Sequence, residues 1–454
     1  MSEIRKGSVL RLSVTDLNNL GAGVARAEDG RVVFVRGAVS GDEITAEIIK
    51  VTRDFLVGRL LSMETPSPHR EEGFCGAPNA CGGCVYRHVT YAHELELKRE
   101  YVTHAFRKAG LPDVTVLPVR STGKTEGYRN KAQYPVAKTK EGIRAGFYAA
   151  KSHHLIAAED CRIQNEAFSA IVKEVCAFAE QAGWTIYDEE TGTGLLRHIY
   201  LRIGEKTGQI LLCLVVNGDR LPNSEDFVIA MREESPAISG ILLNINKEKT
   251  NVVLGKRNVL LWGRDFMEDE LCGLRFRVSP DSFYQVNRDG AELLYGLAAK
   301  EAELCGNEVL MDLYCGTGTI GLSMAKKVKR LSGVEIVPAA VECARENARR
   351  NGIDNAEFFC DDAGSAEVIL RAAGGTRPDV VILDPPRKGS TRELVRTLSS
   401  LGVPKVVYVS CDPDTLARDC RWFSVEGYEI GQVQPVDMFP RTGHVESVVL
   451  LTKF

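Results

Sequence analysis

The sequence predicts a multidomain chain: an N-terminal OB-like β-barrel, a central α+β domain and a C-terminal α/β domain of Rossmann-like winding. Three observations predict this. Five short strand candidates fall within residues 8–61, the density of a small closed barrel. From Asn287 to Phe454 apolar strands alternate with helical stretches, which implies a parallel sheet covered by helices. Between them lies a stretch that mixes strands with a helix. The length of 454 residues suits about three domains at roughly 150 residues each.

Composition sets the outer limits. With 44% hydrophobic and 26% charged residues the chain is globular, not collagen-like or wholly disordered. No apolar run approaches the roughly 18 residues of a membrane span. MSEIRKGSVLRLSV lacks the apolar core and cleavage pattern of a secretory signal, so a cytoplasmic protein is expected. The 13 cysteines are then reduced thiols, there for packing, metal ligation or nucleophilic chemistry. A net charge of −4 excludes a globally basic nucleic-acid coat. Yet Lys98 to Arg162 holds 13 Lys/Arg against 6 Asp/Glu, a local basic surface suited to a polyanion.

The barrel candidates are Ser8–Val14, Gly23–Ala27, Val32–Val35, Asp42–Val51 and Phe55–Leu61, with a hairpin signal at Asp29-Gly30. LGAGVAR followed by DGRVVFVRGAVSGD resembles the TRAM domain of RNA-modifying enzymes, so residues 1–63 are expected to bind RNA. Pro66 and Pro68 mark a linker within residues 64–90. The same segment holds Cys75, Cys81 and Cys84, spaced C-x5-C-x2-C and so unlike the C-x3-C-x2-C of radical enzymes; Cys161 follows in AEDCRIQN. Pro78-Asn79 and Gly82-Gly83 let the backbone wrap a bound group. Four thiolates suit a [4Fe–4S] cluster or a four-cysteine zinc site, and spacing alone does not separate the two.

The central domain is expected over 91–280. A helix over Tyr91–Ala109 stops at Gly110 and Pro112. A second helix lies near Asn165–Ala182, with strands at Ile210–Val216, Gly240–Asn246 and Asn251–Gly255. GYRNKAQYPV and RAGFYAAKSHH interleave cations and aromatics, as phosphate contact with base stacking requires, and make Arg129 and Lys131 candidate RNA contacts. His153-His154 reads as an exposed pair.

The C-terminal domain is expected over 281–454, with strands Val309–Leu313, Leu331–Glu335, Ala356–Phe359, Val380–Leu383 and Val406–Ser410. Tyr428–Gln434 and Val445–Thr452 close it with no helix between, the terminal hairpin of the class I S-adenosylmethionine (SAM)-dependent methyltransferase fold. VLMDLYCGTGTIGLSMA is a strand, a glycine turn and a helix start; Gly316, Gly318 and Gly321 permit close approach of a ligand. Glu335 ends the next strand, where a carboxylate accepts from ribose hydroxyls; a dinucleotide enzyme would use the same device. Asp384 in LDPPRKG ends the fourth strand with two stiffening prolines, as in nucleic-acid methyltransferases.

Cys411 follows a hydrophobic strand on the same sheet edge, and Glu446 opens the last, antiparallel strand there. A thiol and a carboxylate then face a methyl donor. That pair fits C5 methylation of uracil. C5 is a poor nucleophile until a thiolate adds to C6, and a base must afterwards remove the C5 proton so that the thiolate leaves. A paired base hides both carbons, so the target is expected to be flipped out.

SCDPDTLARD, HVESV, LDPPRKG, DLYCGTGTIG and SFYQVN together resemble the RNA uracil-5-methyltransferase family over nearly the whole chain. The resemblance implies Cys411 as nucleophile and Glu446 as base. It implies Gln285, Tyr314, Glu335 and Asp384 as SAM contacts and Phe283 beside the target base. Thr319 departs from the Asn some members carry after the glycine turn. The ribosomal branch of the family carries a [4Fe–4S] cluster on this cysteine pattern, which implies Cys75, Cys81, Cys84 and Cys161 as its ligands; cluster and TRAM barrel together imply 23S ribosomal RNA as the partner, since the transfer-RNA branch resembles only the middle and catalytic parts. The rival readings are a transfer-RNA uracil-5-methyltransferase and a non-catalytic iron–sulfur RNA-binding factor. The other eight cysteines are expected in the core, and His444 beside Glu446.

Overall fold

The computed structural model describes residues 4–72, 75–76, 81–150 and 152–453; the Pro78-Asn79 pair expected to wrap a bound group lies outside them. The first body is a sheet of β1 (Val9–Ser13), β2 (Asp16–Leu17), β3 (Ala22–Arg26), β4 (Val32–Arg36), β5 (Glu43–Val51) and β6 (Phe55–Thr65), ordered β1-β5-β6-β4-β3-β2. Period-2 alternation turns Ala25, Val33, Val35, Ile44, Ala46 and Ile48 into one core.

After α1 (Tyr91–Lys108) the central sheet comprises β7 (Lys131–Thr139), β8 (Gly142–Tyr148), β9 (Leu155–Ala157), β10 (Leu196–Ile203), β11 (Ile210–Val216), β12 (Ile238–Ile245) and β13 (Arg257–Gly263), with α2 (Ala167–Gln181) and α3 (Ser224–Glu234) between its strands. Its order is β13-β12-β11-β10-β7-β8-β9. Ile210, Leu212, Leu214 and Val216 of β11 face the core that α2 and α3 cover. Leu211, Cys213 and Val215 face the C-terminal domain. Burial on both faces explains the unbroken apolar run of β11.

Two expectations are corrected here. Asn251–Gly255 is loop, and the strand begins at Arg257. Asn246 donates to the carbonyls of Val252 and Val253, and Asn244 exchanges hydrogen bonds with Gly255, so side chains replace the ladder. And α1, expected to open the central domain, packs on the C-terminal domain: Val102, Ala105 and Phe106 share a core with Leu416 and Val433.

The hairpin β14 (Met267–Leu271) and β15 (Leu274–Val278) precedes α4 (Arg288–Ala302). The C-terminal domain then runs β16 (Val309–Leu313), α5 (Thr319–Met324), β17 (Arg330–Glu335), α6 (Pro338–Arg350), β18 (Ala356–Cys360), α7 (Ala366–Ala372), β19 (Val380–Leu383), α8 (Arg392–Ser400), β20 (Lys405–Ser410), α9 (Pro413–Val425), β21 (Glu429–Ile430), β22 (Gln434–Val436) and β23 (Glu446–Thr452). The order is β18-β17-β16-β19-β20-β23-β21, with β22 also on β23. β16 to β20 are parallel and β23 is antiparallel. The strand expected over Tyr428–Gln434 splits, because Val433 leaves the sheet to bridge Val116 and to donate to the carbonyl of Thr115.

A buried ion network ties the parts together. Lys98, 1% exposed, donates to Glu94 at 2.7 Å and to Asp437 at 2.8 Å. Tyr91 donates to the other oxygen of Asp437, and the Arg441 N–H to Glu94. The barrel reaches the same loop: Tyr86 donates to the Asn18 carbonyl and, through its N–H, to the Arg441 carbonyl. Among the described residues no helix is long and apolar enough to cross a membrane.

Candidate active site

The carboxyl ends of β16, β17, β19 and β20 carry Tyr314, Glu335, Asp384 and Cys411 on one edge of the sheet. After β16 the chain turns through left-handed Tyr314 (φ 64°), Gly316 (φ 54°) and Gly318 (φ 82°). The left-handed φ of Gly318 strains any side chain, and a Cβ there would also press on the Phe358 ring at 3.1 Å, so glycine is favoured at this turn into α5. Glu335 accepts from the Gly316 N–H at 3.2 Å and from the Val337 N–H at 2.9 Å, which fixes its carboxylate beside the turn. Asn347 of α6 donates to the Thr317 carbonyl at 3.1 Å from behind. Thr319, the residue after the glycine turn, shares a 3.0 Å hydrogen bond with Tyr295.

The loop that carries Phe283 and Gln285 closes the other side. Asn130 donates to the Gln285 carbonyl from its side chain at 2.9 Å, and its N–H donates to the Val286 carbonyl. Phe283 itself is 64% exposed, an unpartnered ring at the rim.

Cys411 and Glu446 come together through register. Ser410 pairs with Ser447 across β20 and β23, so the next residue on each side, Cys411 and Glu446, stand opposite at the sheet end. Asp412 caps α9 by accepting from the Thr415 N–H, which fixes the turn after the thiol. The electrostatics are those of crowded acids in a dry place. Burial, then Asp384, pushes Glu446 up to about 8 against the opposing Arg387. Burial also holds Asp384 near 7. The Cys411 thiol is pushed up to about 11 by burial, then by Glu446 and Asp384, with Arg387 again opposing. The site therefore rests with a neutral thiol and a carboxyl group poised to change charge near neutral pH.

Two residues were missed by sequence reasoning. Asp312 is buried within β16, accepts from the Gly321 N–H at 2.9 Å and leaves its other oxygen unpaired; burial raises it to about 7. Its signal is an acid inside the apolar run VLMDL. Arg387, exposed just after Pro385-Pro386, is the cation whose charge bears on both Cys411 and Glu446. His444 is exposed, its ring edge-on to Phe439 at 6.0 Å. Cys305, in the loop after α4, and Cys360, at the end of the edge strand β18, were expected in the core but are exposed. Lys131 opens β7 and Arg129 lies two residues before it, and His153 and His154 are exposed as expected.

The four-cysteine group converges in part. Cys75, Cys84 and Cys161 pack against Tyr128 and Ile163. Burial, then Cys161, Cys81 and Cys75, pushes the Cys84 thiol up to about 12, which puts the other three cysteines in its neighbourhood. Four thiolates so placed need a cation among them, which suits a bound cluster in kind. Among the described residues, however, no group of three or more His, Cys, Asp or Glu is arranged to hold a metal ion.

Comparisons with known proteins agree with this geometry. Residues 245–454 match the tRNA (uracil-5-)-methyltransferase family model, and residues 4–61 match the TRAM domain. A protein of Clostridium tetani named as an RNA methyltransferase is 41% identical over 453 residues, 99% of this chain and 98% of its own. One from Halalkalibacterium halodurans is 40% identical over 451 residues, again 99% and 98% of the two chains. Among solved structures, a Pyrococcus abyssi tRNA (uracil-54, C5)-methyltransferase bound to S-adenosyl-L-homocysteine superposes with a TM-score of 0.78. It is 27% identical and covers 98% of this chain and 100% of that one.

Proposed function

Because the chain belongs to the RNA uracil-5-methyltransferase family, we propose that it methylates C5 of a uridine in 23S ribosomal RNA through a covalent bond from Cys411 to C6. The observation that carries this reading is the opposition of Cys411 and Glu446 at the end of β20 and β23, beside Asp384. SAM supplies the methyl as a sulfonium, whose positive charge favours the ionised forms of nearby acids. Gln285, Tyr314, Gly316, Gly318, Glu335 and Asp384 would hold it, with exposed Ile336 and Val337 offering apolar surface to its flat ring.

The steps follow from the residues. The Cys411 sulfur adds to C6 as its proton is taken up by the acid cluster, and the ring becomes an enolate with electron density at C5. C5 takes the methyl as the methyl–sulfur bond breaks, its electron pair staying on what becomes a neutral thioether. Ionised Glu446 then removes the C5 proton, the C6–S bond breaks, and the sulfur leaves with its electron pair. A base with a pKa near 8 is well matched to this step at neutral to mildly alkaline pH. Phe283, exposed at the rim, would stack on an extruded base, and Arg129 and Lys131 would contact the backbone.

The ribosomal target rests on the cysteine set and its resemblance to the ribosomal branch. Cys75, Cys81, Cys84 and Cys161 would then hold a [4Fe–4S] cluster with a structural or RNA-contact role; iron content of anaerobically purified protein, lost in Cys84→Ser, tests this. The barrel does not choose between targets, since the archaeal transfer-RNA enzyme superposes over 98% of this chain. That superposition favours a second reading, a transfer-RNA uridine. The deciding experiment offers methyl-labelled SAM with unmodified 23S and transfer RNA separately. Label as 5-methyluridine in 23S RNA alone supports the first reading; label in transfer RNA alone replaces it with the second. No label in either, with SAM still bound, removes both and leaves the non-catalytic iron–sulfur RNA-binding factor or a substrate outside both pools.

A further inference from the structure

We propose that Lys131 and Arg202 form a phosphate-binding pocket that grips the RNA backbone beside the base received by Phe283. The proposal rests on RNA being the substrate. Its starting point is register. β7 and β10 are antiparallel, and Arg202 sits directly opposite Lys131. Directly opposed residues project from the same face, and two like charges there oppose folding. Arg129, two residues earlier in the chain, adds a third cation to the neighbourhood.

Among the described residues no carboxylate compensates. Among the described residues neither Lys131 nor Arg202 is part of an ion pair. Arg202 is only 2% exposed. Its Nε donates to the Tyr200 hydroxyl and its Nη2 to the carbonyls of Ser282 at 2.5 Å and Pro280 at 3.4 Å, while the buried Nη1 has no partner. Lys131 is pushed down to about 8, first by burial and then by Arg202 and Arg129. A buried guanidinium with a free donor, facing an uncompensated ammonium, is a site built for an anion from outside.

Its location selects the anion. Ser282, which Arg202 holds, immediately precedes Phe283. Asn130, next to Lys131, is bonded to the backbone of Gln285 and Val286 in the same loop. One rigid frame thus carries the cation pair, the exposed ring and a donor-side residue. An extruded nucleotide needs its phosphate held while its base is turned out, and phosphate contacts fix register without reading sequence.

The test uses the full chain and unmodified 23S ribosomal RNA as probe, titrated over a range of salt. Lys131→Gln is expected to weaken RNA binding about tenfold and to make the slope of log affinity against log salt shallower by about 0.7–1, one phosphate contact. Lys131→Arg restores the slope. SAM affinity is unchanged, and the thermal midpoint of the free Lys131→Gln protein does not fall, because the variant relieves a repulsion. An unchanged RNA affinity overturns the proposal. So does a lost affinity with an unchanged salt slope, which would mean a displaced loop instead of a lost phosphate. If the wild type binds RNA with the expected slope but forms no 5-methyluridine, the methylation reading falls and the pocket stands.

Discussion

Replacing Glu446 by glutamine tests both the chemistry and the electrostatics of the site. The carboxyl group is 5% exposed and raised from 4.5 to about 8, so the fold favours its protonated form. A raised carboxyl pKa means stability that is full below 4.5 and lost as pH rises towards 8. At 1.36 kcal/mol per unit, the penalty is about 1 kcal/mol at pH 5 and about 3 kcal/mol at pH 7. Glutamine cannot ionise and escapes it. Urea unfolding of Glu446→Gln should therefore exceed wild type by up to those amounts, with the gap widening from pH 5 to pH 7. The same variant keeps Cys411 and the methyl-donor pocket but lacks the base. Elimination should slow by about 10²–10⁴, and a denaturant-resistant RNA–protein adduct should accumulate on a gel. A pH-independent stability gap would refute the electrostatic argument. Normal product yield without adduct would remove Glu446 from the base role.

Further outcomes follow from the same geometry. Cys411→Ala should abolish methylation and adduct formation while SAM binding, measured by calorimetry, survives; retained turnover would end the covalent mechanism. Asp384→Asn removes the charge that raises Glu446, so the alkaline rise in the rate of elimination should move to lower pH even as the rate falls; an unmoved limb would show that Asp384 does not act on Glu446. Lys98→Met strands Glu94 and Asp437 in the interior and should cost about 3–5 kcal/mol in denaturant unfolding at pH 7.

The strand-end residues were legible because alternation of strands and helices fixes where each strand stops. Gly318, Glu335, Asp384 and Cys411 follow from that pattern, and Glu446 from the single antiparallel strand. What was not legible depends on partners far along the chain. Asn251–Gly255 has strand composition, but Asn244 and Asn246 satisfy its backbone from another element. The amphipathic pattern of α1 shows an apolar face without saying which core receives it. Arg387 acts through its distance to Cys411 and Glu446, and Arg202 through its cross-strand register with Lys131, neither of which a local motif contains.

The buried Lys98 also bears on how the protein is made. Its partner Asp437 lies 339 positions further along, and β23 enters between β20 and β21 only after both of those strands have been made. During most of translation Lys98 has Glu94 alone, and β20 presents an unpaired apolar edge in Val406–Val409. A chain that stops short of Glu446 exposes that edge, a template for pairing with other chains. Premature termination should thus yield insoluble fragments, and not soluble ones that attack uridines without letting go.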